Sequence, residues 1–367
     1  MGMSYLVYPG AHHTRFHHAL GCMHLMQNAV RVLRFKGVRI SQDEEEALYV
    51  AILLHDIGHG PFSHAMEHSM VENESHERIS LFFMEQMNVA FNGDLALAIQ
   101  IFKGEYHRDF LHQLISGQLD MDRLDYLKRD SFYTGVAEGN INSERLITML
   151  NVVDDLLVVE EKGIYSVEKF LLARRLMYWQ VYLHKTSLVA EQLLIRVLKR
   201  AKELSARGVD LPASSALSFF LKNTIGAEDF SKDILQVFAR LDDYDIVLAM
   251  KEWCKADDFV LRKLSRMIIN RDLLKVKIDK KPIPSGALEK HLNLAAKTYQ
   301  LSLEEAAYFV FDGVIENQAY HQNKQNINIL FSTGKITDVV KASDEFNLKA
   351  LSKPVTKYFI CYPKHKD

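Results

Sequence analysis

Apolar residues recur three and four positions apart through most of the first 270 residues, the spacing of amphipathic helices. From about His17 to Lys36 the stripe is Cys22, Leu25, Met26, Ala29 and Leu33. A second helix is expected from Gln42 to Ile57. It starts after Ser41 with acidic Asp43 to Glu46, as a positive helix N-terminus favours, and is expected to stop at a left-handed Gly58, after which Pro61 opens a third helix. Further helices are predicted over Glu77–Met87, Leu95–Phe102, Phe110–Arg129 and Ser143–Asn151. One long helix should cover Val167–Leu204, with helical pattern continuing to Asn270.

Between these, Val152 to Val167 is β-rich, is broken at Lys162-Gly163 and reads as a small hairpin. Beyond Asn270 the texture changes. Lys275 to Pro284 is basic and proline-punctuated, Asn317 to Asn328 is an Asn/Gln cluster read as a turn region, and Ile327–Phe331 and Lys357–Tyr362 are short β-branched or aromatic runs. The fold class is therefore mostly α. A helical core is expected over 1–190, a helical extension over 191–272 and a small α+β unit over 273–367.

Composition narrows the function classes. With 48% hydrophobic and 25% charged residues over 367, the chain is an ordinary globular protein with enough length for a real core. A formal net charge of −2 provides no global field for a polyanion, so there is no strong nucleic-acid signal. Cys22, Cys254 and Cys361 are too far apart for a disulfide framework or a CxxC site. Met1 to Leu20 lacks the apolar centre of a secretory signal, and no run approaches the ~18 apolar residues of a membrane span. A cytoplasmic protein without a membrane partner is the expectation.

The histidines change the picture. Of 16, 12 lie within the first 112 residues, where even spreading would put about five. His55 and Asp56 end the apolar run Ala47–Leu54, where a buried charge is costly unless paired or metal-bound. Adjacent residues on a regular helix point about 100° apart, so both reach one ion only where the helix ends. His18 shares the face of Cys22, Leu25 and Met26 and looks inward, while His17 is rotated away. Leu119, Asp122, Tyr126 and Asp130 form a second stripe with Arg123 beside it; its bland reading is a surface salt-bridge face. Arg174, Tyr178, Tyr182 and Lys185 form a third, suited to phosphate and sugar, although such stripes are ordinarily just solvated.

Thr14-Arg15-Phe16-His17-His18-Ala19-Leu20-Gly21, His55-Asp56-Ile57-Gly58-His59-Gly60-Pro61-Phe62-Ser63-His64 and Asp120-Met121-Asp122-Arg123-Leu124-Asp125-Tyr126 together resemble the HD-domain superfamily. The similarity, from Tyr5 to about Lys185, is to the branch of dGTPase-like deoxynucleotide triphosphohydrolases. By that resemblance His18, His55, Asp56 and Asp122 hold one divalent metal. The mixed nitrogen and oxygen set suits Mn, Fe, Co, Ni or Zn, with Mg as nucleotide counter-ion. Arg15, Arg123, Arg174 and Lys185 would meet phosphate charge. His59, His64, Glu67 and His76 match the catalytic polar residues around the ligands, His64 being the proton donor oriented by Glu67. Tyr126 and Asp130 match sugar contacts, and Tyr182 the residue packed where a ribose 2′-hydroxyl would sit.

Two positions depart from the pattern. The family's upstream Gln-Leu-Gly has no counterpart before Met1-Gly2, and Tyr178 replaces a histidine beside the phosphates. The resemblance implies conversion of a dNTP and water to a deoxynucleoside and triphosphate, in a homo-oligomer with a possible nucleotide activator. The alternatives are an HD-type hydrolase of another nucleotide or phosphoester, or a metal-stabilised scaffold that binds nucleotide or nucleic acid.

Overall fold

The computed structural model describes residues 2–62, 71–72, 75–226, 229–322, 326–344 and 347–364. Helix α1 (Arg15–Phe35) opens with a capping box between Thr14 and His17, and α2 (Gln42–Leu54) with one between Ser41 and Glu44. They pack through Cys22, Met26, Ala29 and Leu33 of α1 and Leu48, Ala51 and Ile52 of α2, all buried. Helices α3 (His76–Ala90), α4 (Ala96–Lys103), α5 (Asp109–Ile115), α6 (Met121–Thr134) and α7 (Ser143–Thr148) follow. With α8 (Ile164–Met177) they complete the first hydrophobic core, in which Phe110 and Phe170 are fully buried.

Helix α9 (Lys185–Ala206) is the axis of a second core. Against it pack α10 (Ser215–Lys222) and α13 (Phe259–Ile269), while α11 (Lys232–Phe238) and α12 (Asp243–Trp253) pack on these two and complete the core. The mostly α architecture with a C-terminal α+β region is thus as expected. Among the described residues no helix is long and apolar enough to cross a membrane.

Strands and a helix, α14 (Ser285–Tyr299), make up most of the remainder. β1 (Val71–Glu72) pairs parallel with β4 (Ile225–Gly226). β5 (Lys275–Asp279), β9 (Val355–Tyr362) and β6 (Phe311–Asn317) form an antiparallel sheet with β9 central, covered by Phe311, Ile315, Phe359 and Cys361 on the second core. The intervening C-terminal segment turns back onto the first core. β7 (Asn328–Leu330) pairs parallel with β3 (Leu156–Glu160), extending the hairpin made by β2 (Leu150–Val153), and β8 (Ile336–Asp338) closes that sheet. Ala319, Tyr320, Ile329, Val339 and Leu348 are buried in the first core.

Four local expectations are corrected. The Phe110–Arg129 helix is two, α5 and α6, because Asp120 caps a fresh N-terminus by accepting from the Arg123 and Gly117 amides at 2.8 and 2.9 Å. The hairpin turns at Asp154-Asp155, both in left-handed backbone at φ 51° and 57°, and Lys162-Gly163 instead leads into α8. The long helix from Val167 ends at Met177, passes through a π turn over Tyr178–Tyr182, and restarts at Lys185 with His184 as its cap. Gly58 is not left-handed.

Gly58 is required by close approach rather than by φ. A Cβ there would lie 2.2 Å from the Ser80 amide nitrogen and 2.3 Å from the His76 carbonyl, both backbone atoms of α3. Ser80 Oγ, fully buried, accepts from Gly58 N at 2.9 Å and donates to the His55 carbonyl at 2.8 Å, so α3 fastens the end of α2. Pro61 and Phe62 lie in a turn, and the helix expected after them falls largely outside the described residues.

Gly58→Ala should therefore force α3 away from this turn. We expect a loss of about 1–3 kcal/mol, the usual cost of overpacking, read as a lowered midpoint of thermal unfolding by circular dichroism. An unchanged midpoint would mean the contact is not rigid.

Candidate metal centre and substrate wall

Helices α1 and α6 and the end of α2 bring the expected ligands together. His18, on the inward face of α1, has Nδ1 2.7 Å from Asp125 Oδ2 on α6. Its Nε2 is thereby turned toward Asp122 Oδ1 at 3.1 Å and Asp56 Oδ2 at 3.9 Å. At the end of α2, His55 Nδ1 is 2.7 Å from the Ile52 carbonyl oxygen. That oxygen only accepts, so Nδ1 carries the proton and Nε2 presents its lone pair.

The His55 Nε2 atom is buried without a hydrogen-bond partner, 3.6 Å from Asp56 Oδ1 and 3.7 Å from Asp122 Oδ1. A buried imidazole nitrogen left orphaned between two carboxylates calls for an explanation, and a shared cation supplies one. Donors at right angles around an ion, each about 2.1 Å from it, are themselves about 3 Å apart, close to the His18–Asp122 spacing. His18, His55, Asp56 and Asp122 fit a divalent ion on these grounds.

The electrostatics agree. Burial pulls the His18 pKa down, but Asp122 and Asp125 outweigh it and hold it well above the usual histidine value. Burial of His55 is likewise outweighed by Asp56 and Asp122. Burial would raise the acids, yet His55, His59 and Arg15 keep Asp56 well below the carboxylate range, and His18 and His55 do the same for Asp122. A dication needs the Nε2 lone pairs of these imidazoles, so it would compete with protons for them. Cys22 also touches His18, with Sγ 3.5 Å from Nδ1, but burial pushes its thiol up to about 12. Before any ion binds it is a neutral thiol at physiological pH.

Around this cluster, Arg15 Nη1 lies 2.6 Å from Asp56 Oδ2. His59 Nε2 is 3.5 Å from Asp56 Oδ1, and the His59 ring stacks on His76 at 3.7 Å. Burial lowers the His59 pKa to about 4, so it is neutral at physiological pH. His64 and Glu67 lie outside the described residues.

Helix α6 continues from Asp122 to the residues expected to form a substrate wall. Tyr126 meets Tyr182 edge-on at 6.1 Å, and Tyr178 meets it at 5.0 Å. The Tyr182 hydroxyl donates to Asp130 Oδ2 at 2.6 Å. Arg123 is drawn to Asp120 and the Gly117 carbonyl, while Arg174 Nη1 donates to the Ala319 carbonyl at 2.9 Å. The Nε atoms of both arginines are buried without a partner. Leu119 sits before α6 rather than on its stripe, and Lys185 is exposed at the start of α9, past the π turn and the break at His184, so it does not continue one regular helix from Arg174.

Three residues were missed by the sequence reading. Asp125 orients His18 and is held in turn by Arg129 at 2.7 and 2.9 Å; its signal was its place three residues after Asp122 on one helix. His13 Nε2 lies 2.7 Å from Asp130 Oδ1, a non-local contact with no periodic signal. Asp120 is fully buried, and burial raises its pKa to about 6 against the pull of Arg123.

These features define a helical phosphohydrolase built around a His/Asp cluster, and comparison with known proteins agrees. The HD domain profile matches residues 15–130 and the HD associated region residues 141–213. A crystal structure of a phosphohydrolase from Bacteroides thetaiotaomicron superposes with a TM-score of 0.95 at 53% identity, covering 99% of this chain and 91% of that one. The uncharacterized protein YwfO of Bacillus subtilis is 30% identical over 99% of this chain and 84% of its own length. The chain belongs to the HD-domain phosphohydrolase family. A more distant relative, the deoxynucleoside triphosphate triphosphohydrolase SAMHD1 homolog of Dictyostelium discoideum, is 28% identical over 50% of this chain and 40% of its own.

Because Asp125 holds the His18 ring in register, Asp125→Ala should weaken divalent-metal affinity about 10- to 100-fold with the fold retained. Competition against a chromophoric chelator measures this. Unaltered affinity would remove Asp125 from the account.

Proposed function

We propose that this protein hydrolyses deoxynucleoside triphosphates to a deoxynucleoside and inorganic triphosphate. The observation that carries the reading is that one helix, α6, bears both Asp122 of the ligand cluster and Tyr126 and Asp130 of the wall, so phosphate and sugar positions share a rigid mount. The relatives support it at the level of phosphohydrolase, and the choice of a nucleotide substrate leans on the distant SAMHD1 likeness.

His18, His55, Asp56 and Asp122 would hold the ion, one of Mn, Fe, Co, Ni or Zn by donor type. When bound, such an ion polarises a phosphoryl oxygen and makes a coordinated water acidic. The protein supplies the rest. Arg15, beside Asp56, and the incompletely satisfied guanidinium groups of Arg123 and Arg174 face developing negative charge. By the family resemblance alone, His64 would be the group that protonates the leaving triphosphate, while His59 and His76 are polar residues beside Asp56. Asp130, fixed by Tyr182 and His13, keeps acceptor lone pairs for a sugar hydroxyl.

A second reading, hydrolysis of another nucleotide or phosphoester, is favoured by Tyr178, a phenol packed on Tyr182 where the resembled branch has a histidine.

The test is to incubate metal-loaded protein with each dNTP and NTP, singly and mixed, and to identify products by chromatography; mixing reveals an activator nucleotide. Tyr182→Ala should then narrow the kcat/KM ratio between a dNTP and its matching NTP by about 10- to 100-fold, mainly by admitting the NTP, since a buried unpaired 2′-hydroxyl costs about 1–3 kcal/mol. A wild type indifferent to the 2′-hydroxyl would favour the broader phosphohydrolase.

A further inference from the structure

Residues 319–321 run between β6 and β7 and hold both sides of the substrate wall at once. The Ala319 carbonyl accepts from Arg174 Nη1 of α8 at 2.9 Å. Two residues on, His321 exchanges a pair of 2.7 Å hydrogen bonds with the Gln118 side chain: its amide donates to Oε1 and its carbonyl accepts from Nε2. Gln118 sits just before Asp120, the cap of α6, which carries Asp122, Arg123 and Tyr126. Between the two grips Tyr320 is fully buried; its hydroxyl donates to Asp338 and accepts from the Ile327 amide at 3.0 Å.

The chemistry of these grips is selective. Ala319 holds Arg174 by a neutral carbonyl, which fixes the guanidinium without quenching its charge. Gln118 is likewise neutral, so the segment adds no anion beside the wall. We infer that residues 319–321 are a positioning strap for the triphosphate-binding arginines, through which the C-terminal region sets phosphate affinity without touching substrate. This rests on the nucleotide triphosphate reading above.

The test uses full-length, metal-loaded protein with inorganic triphosphate as the probe, and Gln118→Ala and Tyr320→Phe as variants. Triphosphate affinity by calorimetry should fall about tenfold in Gln118→Ala and in the same direction, less steeply, in Tyr320→Phe. Metal content and turnover of bis(4-nitrophenyl) phosphate, a diester that needs the metal centre but not the arginine wall, should stay within about twofold of wild type. Equal triphosphate affinity in wild type and both variants overturns the strap. A parallel fall in metal content and diester turnover also overturns it, since the segment would then be merely structural. A wild type that turns over the diester but does not bind triphosphate overturns the triphosphate reading, and the strap with it.

Discussion

Everything in the first half of the chain answers to the cost of placing two carboxylates and two imidazoles together at the edge of an apolar core. Buried charge is tolerated only where each group has a partner. Three of the four have a partner outside the cluster, Asp125 for His18, the Ile52 carbonyl for His55 and Arg15 for Asp56, while Asp122 is paired with the two imidazoles themselves. These outer contacts leave the Nε2 atoms and carboxylate oxygens converging on one point. The end of α2, the register of α1 on α6 and the tight approach of α3 at Gly58 are the structural terms of that convergence.

The second constraint is continuity between the metal cluster and the wall. Asp122 and Asp130 are two turns apart on α6, so in the proposed reading the spacing between phosphate and sugar sites would be set by a helix rather than a loop. Arg174 and Tyr182 come from α8 and its π turn, which rotates the phenol onto Asp130. π turns often mark functional positions, because the inserted residue re-aims a side chain at a cost to the helix. The C-terminal segment, far away in sequence, then completes the surroundings of Arg174 and of the α6 cap.

What was legible in the sequence followed local rules. The inward face of His18, the Ser41 cap and the α-rich pattern all follow from helical spacing, and the C-terminal strands from β-branched runs. What was not legible depended on competition between local options or on distant partners. Nothing between Ile164 and Ala206 is glycine or proline, so the break at His184 has no local marker and Lys185 was read as part of one continuous helical stripe. Gly117 did mark the end of α5, but apolar periodicity ran across it; only the capping carboxylate of Asp120 reveals a new helix there. Gly58 was correctly singled out for the wrong reason, since its neighbour across space, α3, could not be known from spacing. His13 and the Ala319–His321 strap are contacts over more than a hundred residues, beyond any periodic reading.

The central claim is that one divalent ion lies between His18, His55, Asp56 and Asp122. Anomalous diffraction from crystals of zinc- or manganese-loaded protein tests it most directly. The account predicts one strong peak about 2.0–2.2 Å from Nε2 of both histidines and from an oxygen of each aspartate. A peak at Cys22 Sγ, or one among Asp56, His59 and His76 with His55 Nε2 uncoordinated, would contradict it.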